Sequence, residues 1–369
     1  MGDAAGFRSG DGPHGGDMAA AWPRAGRHDS CVEYRVMGRW WTGITLAALL
    51  AIPGHSGRRG AASNRQGLPP LTVDTAEINR PDQPQVQMGD RGSPVVRAQI
   101  LLDRAHFSCG EIDGNFGTNL QNTVRAFQQA RNLPITGVVD PVTWNALNSD
   151  NAPVLVTTTI GPDDVKGPFV PIPANVMKQA RLPALGYTSV LEELAERFHA
   201  SPELMRAINP GANFDNAGQP LIVPNALTMP PAQAARVMVS KGESSVRAYD
   251  ASGKLLAFYM ATTGSEHDPL PIGEWKITGV AKNPKFHYNA KLFWDAKNKE
   301  ARATIQPGPN NPVGVVWIDL SKEHYGIHGT PDPGKIGHTY SHGCIRLTNW
   351  DATELASMVQ PGTPATLKE

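Results

Sequence analysis

Three cysteines in 369 residues, Cys31, Cys109 and Cys344, cannot make a disulfide framework. No C-x2-C pair exists, so a structural zinc module of the usual spacing is excluded. Net charge is missing as well, because 34 Lys and Arg balance 34 Asp and Glu. A chain without an overall basic field has no general hold on a polyanion, so nucleic acid is not an expected partner. Aromatics are 7% of the residues, too few for a row of base-stacking platforms. No apolar run reaches the roughly 20 residues of a membrane-spanning helix. Gly (37) and Pro (32) are plentiful, enough for many loops and Pro-rich connections but short of low complexity. A hydrophobic share of 40% supports real cores, and the length suits two to four domains.

Residues 1–36 carry no apolar period. Arg35 and Arg39 then precede the short apolar run Ile44–Ile52. That order of charge and apolarity predicts an export signal within a leader at 1–55, with Met37 as a candidate start. The mature chain is then expected to begin between Ala51 and Gln66, without Cys31, in the periplasm or cell envelope. Residues 56–85 are polar and interrupted by Pro69, Pro70, Pro81 and Pro84, a linker composition.

Residues 86–148 read as three helices. Ser93-Pro94 offers a cap and a first-turn proline, Leu120, Val124 and Phe127 share a helix face, and Asp140-Pro141 opens a third helix with Trp144 and Leu147 inward. Cys109 is expected to be a buried small hydrophobe. Asp113-Gly114-Asn115-Phe116-Gly117, Val124-Arg125-Ala126-Phe127-Gln128 and Thr136–Asp140 resemble the helical peptidoglycan-binding domain of wall enzymes. A second linker spans 149–184. Over 185–226, two short helices, Asn209-Pro210-Gly211 and a strand ending Val223-Pro224 resemble a LysM unit, a βααβ module for N-acetylglucosamine polymers. Short alternating runs at 237–239, 245–249, 255–260, 275–280 and 313–320 follow, with a turn at Asp250–Lys254 and one late helix, Trp350–Met358. They predict a mainly β sandwich or barrel over 234–367, giving a multidomain α+β chain. With no chemical motif in the accessory units, a piece starting near Met229 is expected to keep chemistry alone.

The chemistry-bearing residues crowd into 328–346. His328-Gly329-Thr330 is followed by Ser341-His342-Gly343-Cys344-Ile345-Arg346. Only a thiolate attacks, so a nucleophilic cysteine needs a base or a cation nearby. Gly343 leaves room beside the sulfur, and Arg346 is a fixed cation for a carboxylate or a thiolate. Spacing alone leaves an inert buried thiol open. The pairs His324/His328 and His338/His342 also leave open a zinc-dependent wall amidase or carboxypeptidase. A pure wall-binding protein with an inactive domain is a third reading, opposed by the intact Cys344, His328, His342 and Arg346.

The terminal motif, with Thr263-Gly264, Pro269–Gly273 and Trp275 upstream, resembles the L,D-transpeptidase (YkuD-type) family over about 130 residues. The resemblance implies Cys344 as nucleophile and His328 as general base. It implies that His342, Ser341 and Gly343 shape the site, with the Gly343 and Cys344 N–H groups as oxyanion donors, and that Arg346 holds the donor stem. It also implies acyl transfer from a peptidoglycan tetrapeptide stem through a thioester. The acceptor is a stem amine (a 3–3 cross-link), a lipoprotein lysine, or water in an L,D-carboxypeptidase. No metal or organic cofactor is implied. Expected partners are stem peptides and glycan strands.

Overall fold

Short polar caps start most of the helices. In a computed structural model the described residues are 69–293 and 296–369, so the leader, Cys31 and residues 56–68 fall outside them. The first unit holds α1 (Thr75–Asn79), α2 (Ser93–Arg104), β1 (Phe107–Ser108), α3 (Thr118–Ala130) and α4 (Pro141–Leu147). Asp140 caps α4 by accepting the Thr143 N–H at 2.8 Å, with Pro141 in the first turn. Leu120, Val124, Phe127, Trp144 and Leu147 are all buried. Two expectations change. Gly92, not Ser93, precedes α2, and the Ser93 hydroxyl instead accepts the Asp74 N–H at 2.9 Å. Residues 69–85 are no linker. Asp74 caps α1, Ile78 is fully buried, and Trp144 donates to the Pro84 carbonyl at 2.9 Å. Side chain–backbone bonds hold this Pro-rich stretch, and composition does not reveal them.

The second unit is β2 (Leu155–Thr159), α5 (Val176–Gln179), α6 (Val190–Arg197), α7 (Pro202–Ile208) and β3 (Pro220–Pro224). Ser189 and Ser201 cap α6 and α7 through the Glu192 and Leu204 N–H groups. Strand β2 pairs antiparallel with β3 along its whole length, and the two strands with α6 and α7 make a βααβ unit, the single turn α5 lying in the connection after β2. Its first strand lies inside the expected linker at 149–184. The run Leu155-Val156-Thr157-Thr158-Thr159 is β-branched and alternates in burial, a strand signal that the flanking prolines obscured. These two units share one hydrophobic core, which also takes in Phe258, Met260 and Ile336 of the third.

The third unit contains β4 (Arg236–Ser240), β5 (Ser245–Tyr249), β6 (Leu255–Met260), β7 (Gly273–Lys282), β8 (Phe286–Asn289), β9 (Arg302–Ile305), β10 (Val316–Leu320), β11 (Gly326–His328), β12 (Ile345–Arg346), α8 (Asn349–Met358) and β13 (Pro364–Lys368). Val313–Val315 form a turn, so β10 begins later than the apolar run suggests. Nine strands form one mixed sheet in the order β1-β6-β5-β4-β13-β7-β10-β11-β12. Strand β7 pairs with β13 through its first residues and with β10 through its last. A bridge between Thr262, just beyond β6, and Arg346 on β12 brings the far edge back to the near one. Helix α8, capped by Thr348, packs Ala352, Leu355 and Met358 into the core beneath.

The units are joined by specific contacts. Strand β1 of the helical unit adds in parallel to β6, and Phe107 packs on Phe258 (6.4 Å) and edge-on to Phe127 (5.4 Å). Ser108 donates to Asp351 at 3.0 Å, His106 meets Glu354 at 3.0 Å, and His199 stacks on Trp350 at 5.0 Å. A piece starting near Met229 would therefore lack these contacts. Removing residues 86–226 would uncover Phe258 and Met260 and strip β6 of its neighbour. Phe107→Ala should cost about 3–5 kcal/mol in urea denaturation, in the range of other buried aromatic truncations. The piece from Met229 onward should elute as aggregate in size-exclusion chromatography. A monomeric, cooperatively melting fragment would contradict this account of the interface.

Candidate active site

Two short strands bring the motif residues together. β11 and β12 pair in parallel with Ile327 opposite Ile345 and His328 opposite Arg346. Ile327 and Ile345 are fully buried in the core. Side chains alternate along a strand, so Arg346 and His328 project from the other face, and Cys344 stands in the turn just before β12. His328 is buried, and its Nδ1 lies 2.7 Å from the Gly329 carbonyl. A carbonyl only accepts, so Nδ1 carries the hydrogen and Nε2 is left as a bare acceptor. Trp317, across from His328 on β10, stacks on the imidazole at 5.4 Å.

The cysteine sits in a turn tied by Ser341. The Ser341 hydroxyl donates to the Cys344 carbonyl and accepts the Gly343 N–H at 3.2 Å. The Gly343 N–H is thus engaged within its own turn. An oxyanion at Gly343 would compete with this bond. Gly343 has φ +100, and a side-chain carbon there would fall 2.7 Å from the Tyr325 ring. Glycine is required by backbone shape and by Tyr325, rather than by an open approach to the sulfur. The Cys344 sulfur lies 3.7 Å from the His324 carbonyl, and the Gly326 N–H bonds to it. The segment Thr262–Gly264 runs alongside, through the bridges Thr262 to Arg346 and Gly264 to Ser341.

His342 lies edge-on to Phe293 at 5.1 Å, beside the β8–β9 hairpin. His324 is exposed and pairs with Glu323 at 3.5 Å, while His338 faces the helical unit in a groove with Asn119 and Ile336. Among the described residues, no three His, Cys, Asp or Glu side chains gather in a way that would hold a metal ion. Tyr325 and Trp317 were not singled out from sequence. Each reaches the site through pairing between β10 and β11, and an isolated aromatic in a strand carries no local signal.

Burial governs the electrostatics. It pushes the Cys344 thiol above its ordinary value, opposed by the Gly326 N–H and the Arg346 charge. It pulls His328 down to about 3, with Arg346 adding to the effect and the Gly329 carbonyl resisting it. Both shifts favour the uncharged forms, a thiol and an imidazole rather than a thiolate and an imidazolium. Arg346 is half-buried and has no ion pair among the described residues; burial pulls it down, and the nearby Asp332 carboxylate opposes that.

The depressed His328 makes stability depend on pH. An unfolded imidazole takes its proton near 6.5, but the folded one only near 3. Between those values only the unfolded chain binds the proton, so stability falls as pH drops below 6.5. By pH 5 the loss is on the order of 2 kcal/mol. The buried carboxyls Glu196 and Asp351 are raised, which acts in the opposite direction. The His328 contribution is therefore read as a difference from His328→Gln. The stability advantage of the wild type in urea should shrink by that amount between pH 8 and pH 5, and a constant gap would rule out a buried neutral His328.

Residues 234–367 match the YkuD family, described as an L,D-transpeptidase catalytic domain, and residues 91–147 match a peptidoglycan binding domain family. The L,D-transpeptidase YkuD of Bacillus licheniformis is 34% identical over 175 residues, 47% of this chain and 90% of that protein. The protein of the same name in Bacillus subtilis strain 168 is 30% identical over 178 residues, 48% of this chain and 92% of the other. The L,D-transpeptidase YbiS of Escherichia coli K12 is 27% identical over 184 residues, 48% of this chain and 60% of that one. With a mainly β catalytic domain behind a helical peptidoglycan-binding domain, the chain belongs to the YkuD-type L,D-transpeptidase family.

Proposed function

We propose that the chain is a cysteine-dependent L,D-transpeptidase acting on peptidoglycan tetrapeptide stems. The observation that carries this reading is the pairing of β11 with β12, which sets Arg346 opposite His328, bare at Nε2, with Cys344 in the turn that leads into β12. The Cys344 thiol attacks the carbonyl of the third stem residue while His328 Nε2 takes its proton. The Cys344 N–H faces the developing oxyanion. D-alanine leaves with the proton from His328, and a thioester remains. An amine then attacks the thioester and gives up its proton to His328, the carbon–sulfur bond breaks, and the departing Cys344 sulfur takes that proton back. Arg346, without an ion pair among the described residues, is suited to a stem carboxylate. A stem amine gives a 3–3 cross-link, a lipoprotein lysine a protein anchor, and water a trimmed stem.

The neutral resting pair fits this sequence. An uncharged thiol and imidazole survive burial without a partner, and charge appears only when substrate supplies a carbonyl to receive it. For glycan, the βααβ unit offers a groove of about 350 Å³ formed by Asn209–Ala212 and β3, which supports a wall-strand contact there. We place the working protein outside the cytoplasmic membrane, where such stems are found.

The decisive experiment incubates the full chain with a purified disaccharide-tetrapeptide, followed by mass spectrometry. A dimer minus D-alanine supports transfer, and D-alanine loss alone supports the carboxypeptidase. Inhibition by a chelator, with indifference to thiol alkylation, would instead support a zinc amidase. Cys344→Ala should abolish turnover, and Cys344→Ser should be nearly as poor because a hydroxyl is far less acidic. His328→Gln should lose about 10²–10⁴ in rate. The alkylation rate of Cys344 should still be rising at pH 9, since burial raises the thiol. Arg346→Gln should move that curve further up by removing the nearby cation. A plateau near pH 6 in the wild type would refute the neutral pair.

A further inference from the structure

Asn349, the first residue of α8, is 2% exposed and has both ends of its amide in use. Its Oδ1 accepts the Val315 N–H at 3.2 Å. The same oxygen lies so close to Gly314 and Gly329 that a side-chain carbon at either would fall 2.1 Å from it. Its Nδ2 donates to the Pro309 carbonyl at 3.1 Å and to Glu196 Oε1 at 3.0 Å. The same Glu196 oxygen accepts the Tyr187 hydroxyl at 3.1 Å. Glu196 stands on α6, in the βααβ unit.

These contacts converge on His328. Gly329 supplies the carbonyl that takes the His328 Nδ1–H, and Val315 leads directly into β10, whose Trp317 stacks on the imidazole. The hydrogen bond at one ring nitrogen fixes which tautomer exists. That bond depends on the direction of the Gly329 carbonyl, and glycine by itself allows its peptide to turn. Asn349 fills the space against Gly329, and the Gly329 N–H is held by the Val316 carbonyl at 3.2 Å. We propose that Asn349 is a positioning residue that keeps His328 in its Nε2-bare tautomer, and that Glu196 of the βααβ unit holds Asn349 in place. The βααβ unit then contributes to the reaction without touching substrate there.

The inference rests on His328 acting as the base, but its test does not require turnover. Full-length protein with 15N-labelled histidine is examined at pH 7 by two-bond 1H–15N correlation, with His328 assigned through His328→Gln. The wild type should show a single Nδ1–H pattern for His328. Asn349→Ala should convert it to a mixture with Nε2–H, and kcat on the tetrapeptide should fall about 10²-fold with KM within about threefold. Glu196→Ala should shift the pattern in the same direction, and Glu196→Gln, which retains an acceptor oxygen, should restore it. An unchanged His328 pattern in folded Asn349→Ala overturns the proposal. Should that variant not fold, an unchanged pattern in Glu196→Ala overturns it equally, and failure of Glu196→Gln to restore the signal overturns the Glu196 link. If the wild type shows the Nδ1–H pattern but no turnover of stems, the functional reading fails while the positioning result stands.

Discussion

A two-residue parallel ladder is the constraint on which the site depends. Ile327 and Ile345 must face the core, and their neighbours must then face outward together. A slip of one residue would bury Arg346 and turn Cys344 away from His328. The surrounding structure prevents that slip. The Leu347 N–H bonds to the His328 carbonyl at 2.8 Å, and Arg346 and Thr262 exchange backbone bonds across the sheet closure. Ser341 ties the cysteine turn, and Tyr325 leaves only a glycine-sized space at position 343.

The same burial that fixes geometry also sets charge. A part-buried thiol and a buried imidazole near one guanidinium cannot both be charged cheaply, and the two shifts move in the directions that remove charge. Arg346 acts on both: it favours the thiolate and disfavours the imidazolium. It therefore opposes proton transfer onto His328 while aiding loss of the proton from Cys344. A substrate anion that neutralises Arg346 would ease the first and weaken the second, which links anion binding to the proton balance of the pair.

Much of the site was legible because its residues are close in sequence. Arg346 and His328 lie on adjacent strands joined by one loop, and Cys344 is the last residue of that loop, so a local motif carries them. Asp140-Pro141 and Ser201-Pro202 were legible for a similar reason, since a cap and a first-turn proline act within one helical turn. Trp317, Tyr325, Asn349 and Glu196 were not, because strand pairing and packing between units create their roles. Strand β2 was hidden by prolines on either side, and α1 by a composition that also describes linkers. The role of Gly343 was misread because the ring that fills its space comes from Tyr325, across the β11–β12 pairing.

Strand β13 lies between β4 and β7, in the middle of the sheet, although it is the last element in sequence. Residues 364–368 therefore join two halves of the sheet, which also meet through the bridges Thr262 to Arg346 and Gly264 to Ser341. One half carries β4, β5 and β6; the other carries β10, β11 and β12 with the thiol. Loosening of residues 364–368 would therefore part β4 from β7 while leaving those bridges to hold the thiol-bearing segment beside Thr262.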